Sequence, residues 1–123
     1  MKKTLCIHLL LFLCIFGANA SPELRFIDSR IVDLGKIAKG KKIFTDIRYT
    51  NDGTGKLYIT DTHMTCNCTS VDYPKEGIEC GEEGIIHIVT DTKGKIGKQT
   101  IVVRLSTNGD NEESIIRIDF FVK

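Results

Sequence analysis

Short stretches in which apolar and polar residues alternate constrain the fold of this chain more than any other feature of its sequence. In residues 42–50, the odd-numbered residues 43–49 are Ile43, Thr45, Ile47 and Tyr49, and the even-numbered residues between them are Phe44, Asp46 and Arg48. Because successive side chains of a β-strand point to opposite faces, this period of two predicts a strand with one face in a hydrophobic core. The same alternation recurs in residues 85–90, 100–107 and 114–122.

Turn-forming residues separate these stretches at intervals of about 8 to 12 positions. Residues 51–55 read Asn-Asp-Gly-Thr-Gly and residues 108–111 read Asn-Gly-Asp-Asn. Glycine, asparagine and aspartate adopt the backbone conformations of tight turns at low cost. Since no stretch has a sustained helical period, the pattern predicts an all-β fold, an immunoglobulin-like antiparallel β-sandwich of about seven strands.

The start of the chain has the three parts of a secretory signal peptide. Residues 2–3 are both lysine, residues 5–16 form an apolar run, and residues 18–20 read Ala-Asn-Ala, which is typical of a cleavage site. The apolar run is shorter than the roughly 20 residues that span a bilayer. We therefore expect residues 1–20 to be removed and residues 21–123 to form one β-sandwich domain without a membrane span, periplasmic or secreted.

The charge balance argues against nucleic acid as a partner. Cleavage would remove two of the 17 Lys and Arg residues and none of the 16 Asp and Glu residues, which changes the net charge from +1 to −1. Nucleic-acid binding requires clustered cations without compensating acids. The lysines within residues 36–42 form a local basic run, which is typical of a solvated turn.

Three cysteines remain after the predicted cleavage, because Cys6 and Cys14 belong to the signal peptide. An exported compartment permits disulfides. The odd number of cysteines, Cys66, Cys68 and Cys80, therefore leaves one thiol unpaired or gives all three another role.

The spacing of these cysteines favours one disulfide over the others. In an extended segment, Cys66 and Cys68 would have Cα atoms about 6.5 to 7 Å apart, whereas a disulfide favours about 5.5 Å. We therefore expect no bond between them. A chain reversal at residues 74–77 would carry Cys80 back to Cys68, and a Cys68–Cys80 disulfide closing about 13 residues would contribute about 3 kcal/mol. A Cys66–Cys80 disulfide is the second choice.

A soft-metal site is the alternative use of the same sulfur atoms. Three converging thiolates from Cys66, Cys68 and Cys80, with His63 or Met64 alongside, would suit copper(I) or zinc. The C-x-C spacing differs from the C-x₂-C of zinc knuckles. A redox role for the thiols is a third reading, although the chain lacks a C-x-x-C dithiol in a βαβ context.

Several short motifs occur in an order that resembles a known family. They are Asn-Asp-Gly at 51–53, Leu-Tyr-Ile-Thr at 57–60, Cys-Asn-Cys-Thr at 66–69, Tyr-Pro at 73–74, Gly-Glu at 81–82, Thr-Lys-Gly-Lys at 92–95 and Ser-Thr-Asn at 106–108. From about Phe26 to Val122 the chain resembles domain-of-unknown-function family 1573, exported proteins found largely in Bacteroidota. Members look like N-T-G, P-L-x-I-T, S-C-G-C-T, Y-P, P-G-E, N-T-K-G-K-x-G and T-x-N at these places.

The resemblance implies an immunoglobulin-like sandwich related to the ASH, Hydin and major-sperm-protein domains. It also implies export, and it implies no established activity. Three residues depart from the family pattern: Asn67 stands in place of glycine, and Cys80 and Ile96 each stand in place of proline. Cys80 adds a third thiol, which family members with the cysteine pair normally lack.

The residues point to a binding domain rather than to an enzyme. The sequence contains no nucleophile elbow, no zinc-protease motif and no placed pair of carboxylates, so we predict no catalytic activity and no cofactor. The favoured hypothesis is a non-catalytic cell-envelope domain that binds another protein or a surface component, since an edge strand of a sandwich can accept a partner strand. Copper or zinc binding through Cys66, Cys68 and Cys80 is the alternative, and a thiol oxidoreductase is the third hypothesis.

Overall fold

All regular structure that the computed structural model describes is β-strand. It describes residues 21–109 and 113–123, and that part of the chain contains no helix with the length and hydrophobicity needed to cross a bilayer. The predicted all-β fold is therefore confirmed. The predicted signal peptide, residues 1–20, lies outside the described residues.

Eight strands form two sheets of four. The strands are β1 (Leu24–Phe26), β2 (Ile31–Ile37), β3 (Lys42–Asn51), β4 (Ile59–Met64), β5 (Thr69–Asp72), β6 (Glu83–Asp91), β7 (Gly97–Thr107) and β8 (Glu113–Val122). The first sheet has the order β1-β3-β6-β5 and the second has the order β2-β8-β7-β4, so neither closes into a barrel. One expectation is corrected: β2 pairs with β8 in parallel, while the other pairings are antiparallel.

The two sheets bury the faces that the alternation predicts. Side chains that are at most 2% exposed come from both sheets: Ile47, Tyr49, Ile86 and Ile88 from the first, and Ile101, Val103, Leu105, Ile116 and Ile118 from the second. They belong to one hydrophobic cluster. Because this cluster draws on both sheets, the loops that join the strands collect at the two ends of the molecule.

Tyr49 is among the largest fully buried side chains. Its neighbour across β3 and β6 is Gly84, where a Cβ atom would come within 2.7 Å of the Tyr49 ring. The absence of a side chain at Gly84 therefore makes room for the phenol. Burial raises the pKa of Tyr49 to about 12, so the phenol is neutral at physiological pH.

A buried amide fastens the loops at one end of the molecule. Asn51 is 1% exposed; its Nδ2 donates to the carbonyl oxygens of Gly55 (2.7 Å) and Ile78 (3.4 Å). Its Oδ1 accepts hydrogen bonds from the backbone N–H groups of Glu23 (3.3 Å) and Gly53 (3.1 Å). One side chain thus joins the segment before β1, the β3–β4 loop and the loop before β6.

Replacement of Asn51 by alanine is expected to lower the free energy of unfolding by about 3 kcal/mol, because several buried backbone groups lose their partner. Asn108 is the matched control, since its amide also bridges two backbone groups, Tyr58 N–H (2.8 Å) and Lys56 C=O (2.9 Å), but is exposed. Water can replace those bonds, so Asn108→Ala should cost about 1 kcal/mol or less. Urea unfolding followed by circular dichroism measures both, and equal losses would contradict this role of Asn51.

Candidate functional site

Cys66 and Cys68 lie in the turn that crosses from β4, at the edge of one sheet, to β5, at the edge of the other. They form a disulfide with a Cα–Cα distance of 5.1 Å. The expectation that these two cysteines would not pair was wrong, because it assumed an extended segment. The backbone N–H of Thr69 donates to the carbonyl of Cys66 at 3.2 Å, and this tight turn brings the Cα atoms into the range of a disulfide.

The disulfide is half-buried and packs against the core. The backbone N–H of Cys68 donates to Cys66 Sγ at 3.2 Å, and Cys68 Sγ lies 3.5 Å from the hydroxyl of Thr69. That hydroxyl is in turn 3.4 Å from the hydroxyl of Thr90 on β6. The Cys68 sulfur therefore lies at one end of a short chain of polar contacts that links β5 to β6 at the edge of the core.

Cys80 lies far from this turn. The carbonyl of Cys68 accepts the N–H of Asp91, the last residue of β6. Cys80 lies near the first residue of β6, because the N–H of its neighbour Gly81 donates to the carbonyl of Asn51 at that end of the sheet. The nine residues of β6 separate the two places by about 25 Å or more.

The predicted pairings of Cys80 with Cys68 or Cys66 are therefore corrected, and Cys68 has its partner in Cys66. The physical reason is that residues 73–82 do not fold back on β5. Instead β5 pairs with β6, and Ile78 forms an isolated bridge with Leu57.

The same separation removes the basis for the predicted copper or zinc site. Cys66, Cys68 and Cys80 do not converge, His63 is exposed opposite Arg104, and Met64 packs against the core. Within residues 21–109 and 113–123, no group of three or more His, Cys, Asp or Glu side chains could hold a metal ion. The geometry does not support the metal-binding alternative.

Two lysine-rich loops meet at the end of the molecule opposite Asn51. Thr92, which is fully buried, donates from its backbone N–H (3.0 Å) and its hydroxyl (2.7 Å) to the carbonyl of Lys41. These bonds hold the β6–β7 loop against the β2–β3 loop. We call the surface formed by residues 36–42, 91–98 and 122–123 the basic end.

The sequence alone presented residues 36–42 as an isolated basic turn. The fold adds the lysines of the β6–β7 loop to it. The two loops are far apart in the chain, but the Thr92–Lys41 bonds, which span 51 positions, hold them together. Only the tertiary pairing of β3 with β6 brings them together. Sequence reasoning missed this surface, although the Lys-Gly-Lys pattern at both loops was a visible signal.

The outward side of the first sheet carries the side chain of Phe44, which is 72% exposed. We call this surface the Phe44 face; it consists of Phe44, Asp46, Arg48, Ile85, His87 and Val89. In the pairing of β3 with β6, Val89 lies opposite Phe44, His87 opposite Asp46, and Ile85 opposite Arg48. The face thus has an aromatic and aliphatic pair at one end and the polar side chains of Asp46, His87 and Arg48 beside it.

The polar side chains of the Phe44 face have partners of their own. His87 Nδ1 donates to a carboxylate oxygen of Asp46 at 2.7 Å, which fixes the imidazole tautomer because a carboxylate only accepts. Arg48 donates to both carboxylate oxygens of Asp28, and these hydrogen bonds hold the pKa of Asp28 below its ordinary value. Two large apolar side chains of this face remain exposed, Ile85 at 40% and the phenyl ring of Phe44 at 72%.

The edge strands of the second sheet are protected against strand addition. Ser29 Oγ accepts the N–H of Ile31 (3.2 Å) and donates to its carbonyl (2.8 Å), and the Asp33 carboxylate accepts the N–H of Gly35 (2.9 Å), so side chains occupy backbone groups of β2. On β4, Asp61 accepts the N–H of Thr62 at 2.9 Å in the same way. Both strands also contain a register irregularity, between Asp33 and Lys36 in β2 and between Ile59 and Asp61 in β4, and such bulges blunt a sheet edge.

The sequence and the fold of this chain are similar to those of known proteins. The sequence model of the family described as "Protein of unknown function (DUF1573)" matches residues 25–122. The chain therefore belongs to this family. Among curated proteins, no sequence matches the chain.

Solved structures of low sequence identity share the fold. A protein of unknown function from Porphyromonas gingivalis W83 has a TM-score of 0.67 at 17% identity, over 83% of this chain and 46% of that one. The VesB protease of Vibrio cholerae has a TM-score of 0.62 at 15% identity, over 89% of this chain and 34% of that one. A GH5 xyloglucanase of Bacteroides ovatus has a TM-score of 0.53 at 10% identity, over 82% of this chain and 19% of that one. The chain spans less than half the length of each, and identities this low show the fold alone.

Removal of the disulfide is expected to destabilise the protein only modestly. A three-residue loop restricts the unfolded chain little, so the double variant Cys66→Ser/Cys68→Ser should lose about 1.5 kcal/mol of stability, about half the effect of a 13-residue loop. Urea unfolding of the oxidised protein and of the variant measures this difference. A loss above about 3 kcal/mol, or free Cys66 and Cys68 thiols in alkylation and mass spectrometry of the unreduced protein, would contradict the assignment.

Proposed function

We propose that this protein is an exported, non-catalytic domain of immunoglobulin-like type that binds another protein in the cell envelope. The signal-like pattern of residues 1–20 supports export. Two four-stranded sheets around one core support the immunoglobulin-like assignment, because such domains consist of two packed sheets of this size.

The exposure of Phe44 is the observation that supports binding through the Phe44 face. Burial of a phenylalanine side chain is worth about 1.5–3 kcal/mol, and at 72% exposure most of that free energy is not used in the folded domain. Aromatic residues are enriched in the centres of protein interfaces. The partner that suits this surface is a protein with an apolar pocket for the phenyl ring and polar groups for the Asp46–His87 and Arg48–Asp28 pairs.

Binding through a sheet face also agrees with the structure of the edge strands, which offer few open backbone groups to a partner strand. A partner strand added to β2 would have to displace the Ser29 and Asp33 contacts with the backbone. β5 has only four residues, which limits the number of bonds that a partner strand could form. The original expectation of strand addition is therefore the weaker form of the binding hypothesis.

Photo-crosslinking from two exposed phenylalanines tests the proposal. A photoreactive phenylalanine analogue is placed at Phe44 or, as the matched control, at Phe121, which is 45% exposed on the outward side of the other sheet. In cells that export the protein, position 44 should give a discrete protein adduct and position 121 should not. The intact mass of the same purified material should correspond to a chain that begins at Ser21.

Substitution then measures the contribution of the ring to binding. Phe44→Ser should weaken binding of the captured partner at least tenfold, with the melting temperature unchanged because the ring is mostly exposed. Phe121→Ser should leave binding unchanged. Adducts of equal yield from both positions, or none from position 44, would rule out the Phe44 face as the binding surface.

A further inference from the structure

The two ends of this molecule carry opposite charge. The segments at the basic end, residues 36–42, 91–98 and 122–123, contain eight lysines and one acidic residue, Asp91. The segments at the other end, residues 21–23, 51–57, 73–83 and Glu113, contain seven acidic residues and two lysines. Two arginines also lie there, Arg25 paired with Asp52 and Arg30 beside Glu113, and compensate part of that charge. A chain whose net charge is close to zero thus carries an excess of positive charge at one end and of negative charge at the other.

Within the described residues, the lysines of the basic end form no ion pairs with acidic side chains. Lys36 and Lys98 border a hollow that also contains Asp33 and Asp119, so those two acids compensate part of their charge. Asp91 lies directly opposite Lys42 in the pairing of β3 with β6. The uncompensated charge therefore lies on the loops, at Lys39, Lys41, Lys93 and Lys95.

Local hydrogen bonds hold the shape of the β6–β7 loop. The Asp91 carboxylate accepts the backbone N–H of Lys93 at 2.9 Å, and the carbonyl of Thr92 accepts the N–H of Lys95 at 3.0 Å. The amide of Gln99 donates to the carbonyl of Ile96 at 3.0 Å. The lysines of this loop are thus presented from a defined backbone, which limits the entropy lost on binding.

An exposed aliphatic side chain lies among these lysines. Ile96 is 68% exposed and sits between Lys95 and Lys98 in the β6–β7 loop. A soluble anion would satisfy the lysines but offers nothing to an isoleucine. An anionic lipid surface offers phosphates to the lysines and an apolar layer, just below the headgroups, to the isoleucine.

We propose that the basic end docks on an anionic lipid surface, with Ile96 entering the boundary between headgroups and acyl chains. Each lysine near such a surface strengthens binding about fivefold, and two kinds of attraction together are what stable peripheral binding requires. The acidic end is repelled by the same surface. The domain therefore stands with its strands across the surface plane and leaves the Phe44 face open to a partner.

Vesicle co-sedimentation with the purified protein tests this inference, and it needs no protein partner, so its result is separate from that of the Phe44 experiment. Vesicles contain either 30% phosphatidylglycerol in phosphatidylcholine or phosphatidylcholine alone, at about 0.1 M salt. Binding to the anionic vesicles should be at least tenfold stronger and should fall as salt is raised. Equal binding to both vesicles would overturn the proposal.

Matched variants separate the lysines from the rest of the surface. Lys93→Gln/Lys95→Gln should weaken binding to anionic vesicles about 25-fold, since two lysines at about fivefold each are lost. The control, Lys56→Gln/Lys75→Gln, makes the same change in net charge at the acidic end and should leave vesicle binding unchanged. Circular dichroism checks that both variants are folded, and equal effects of the two would contradict an oriented docking surface.

Ile96 distinguishes a lipid surface from a soluble polyanion. Ile96→Ser should weaken binding to anionic vesicles about tenfold and should not change retention on immobilised polyphosphate or a short DNA duplex. If Ile96→Ser has no effect on vesicle binding, or if the protein binds polyphosphate or DNA as tightly as it binds the vesicles, the basic end is a general polyanion site and the lipid proposal fails.

Discussion

The burial of alternate side chains from both sheets in one core determines where the connecting loops and the outward faces of the described chain lie. Because Ile47 and Ile86 of one sheet and Val103 and Ile118 of the other belong to the same cluster, the connecting loops are displaced to the two ends. The outward faces are left to polar and scattered apolar residues. The separation of the lysine-rich loops from the acidic ones follows directly from this arrangement.

Features that depend on local periodicity could be predicted from the sequence. The inward positions of β7, Ile101, Val103 and Leu105, were predicted from alternation and are buried, because the period of a strand alone decides which residues share a face. The turn at residues 51–55 was likewise visible in its Asn, Asp and Gly content. Neither inference required knowledge of which strands pair.

Features that depend on the choice of partner strand could not be predicted in this way. The parallel pairing of β2 with β8 and the contact between Thr92 and Lys41 join segments far apart in the chain, which no local pattern encodes. The cysteine prediction failed for a related reason. It assumed an extended segment at Cys66 and a hairpin at Pro74, whereas the chain turns at Cys66 and β5 takes β6 as its neighbour.

The meeting of the β2–β3 and β6–β7 loops at one end is the claim on which the charge separation and the orientation of the Phe44 face both depend. Cross-linking of lysine amines with a short-spacer reagent, followed by mass spectrometry, tests it most directly. The structure predicts links from Lys41 to Lys93 or Lys95, because Thr92 is bonded to the backbone of Lys41. Links that join Lys41 to Lys56 or Lys75, which lie at the other end, in place of links to Lys93 or Lys95 would contradict the account.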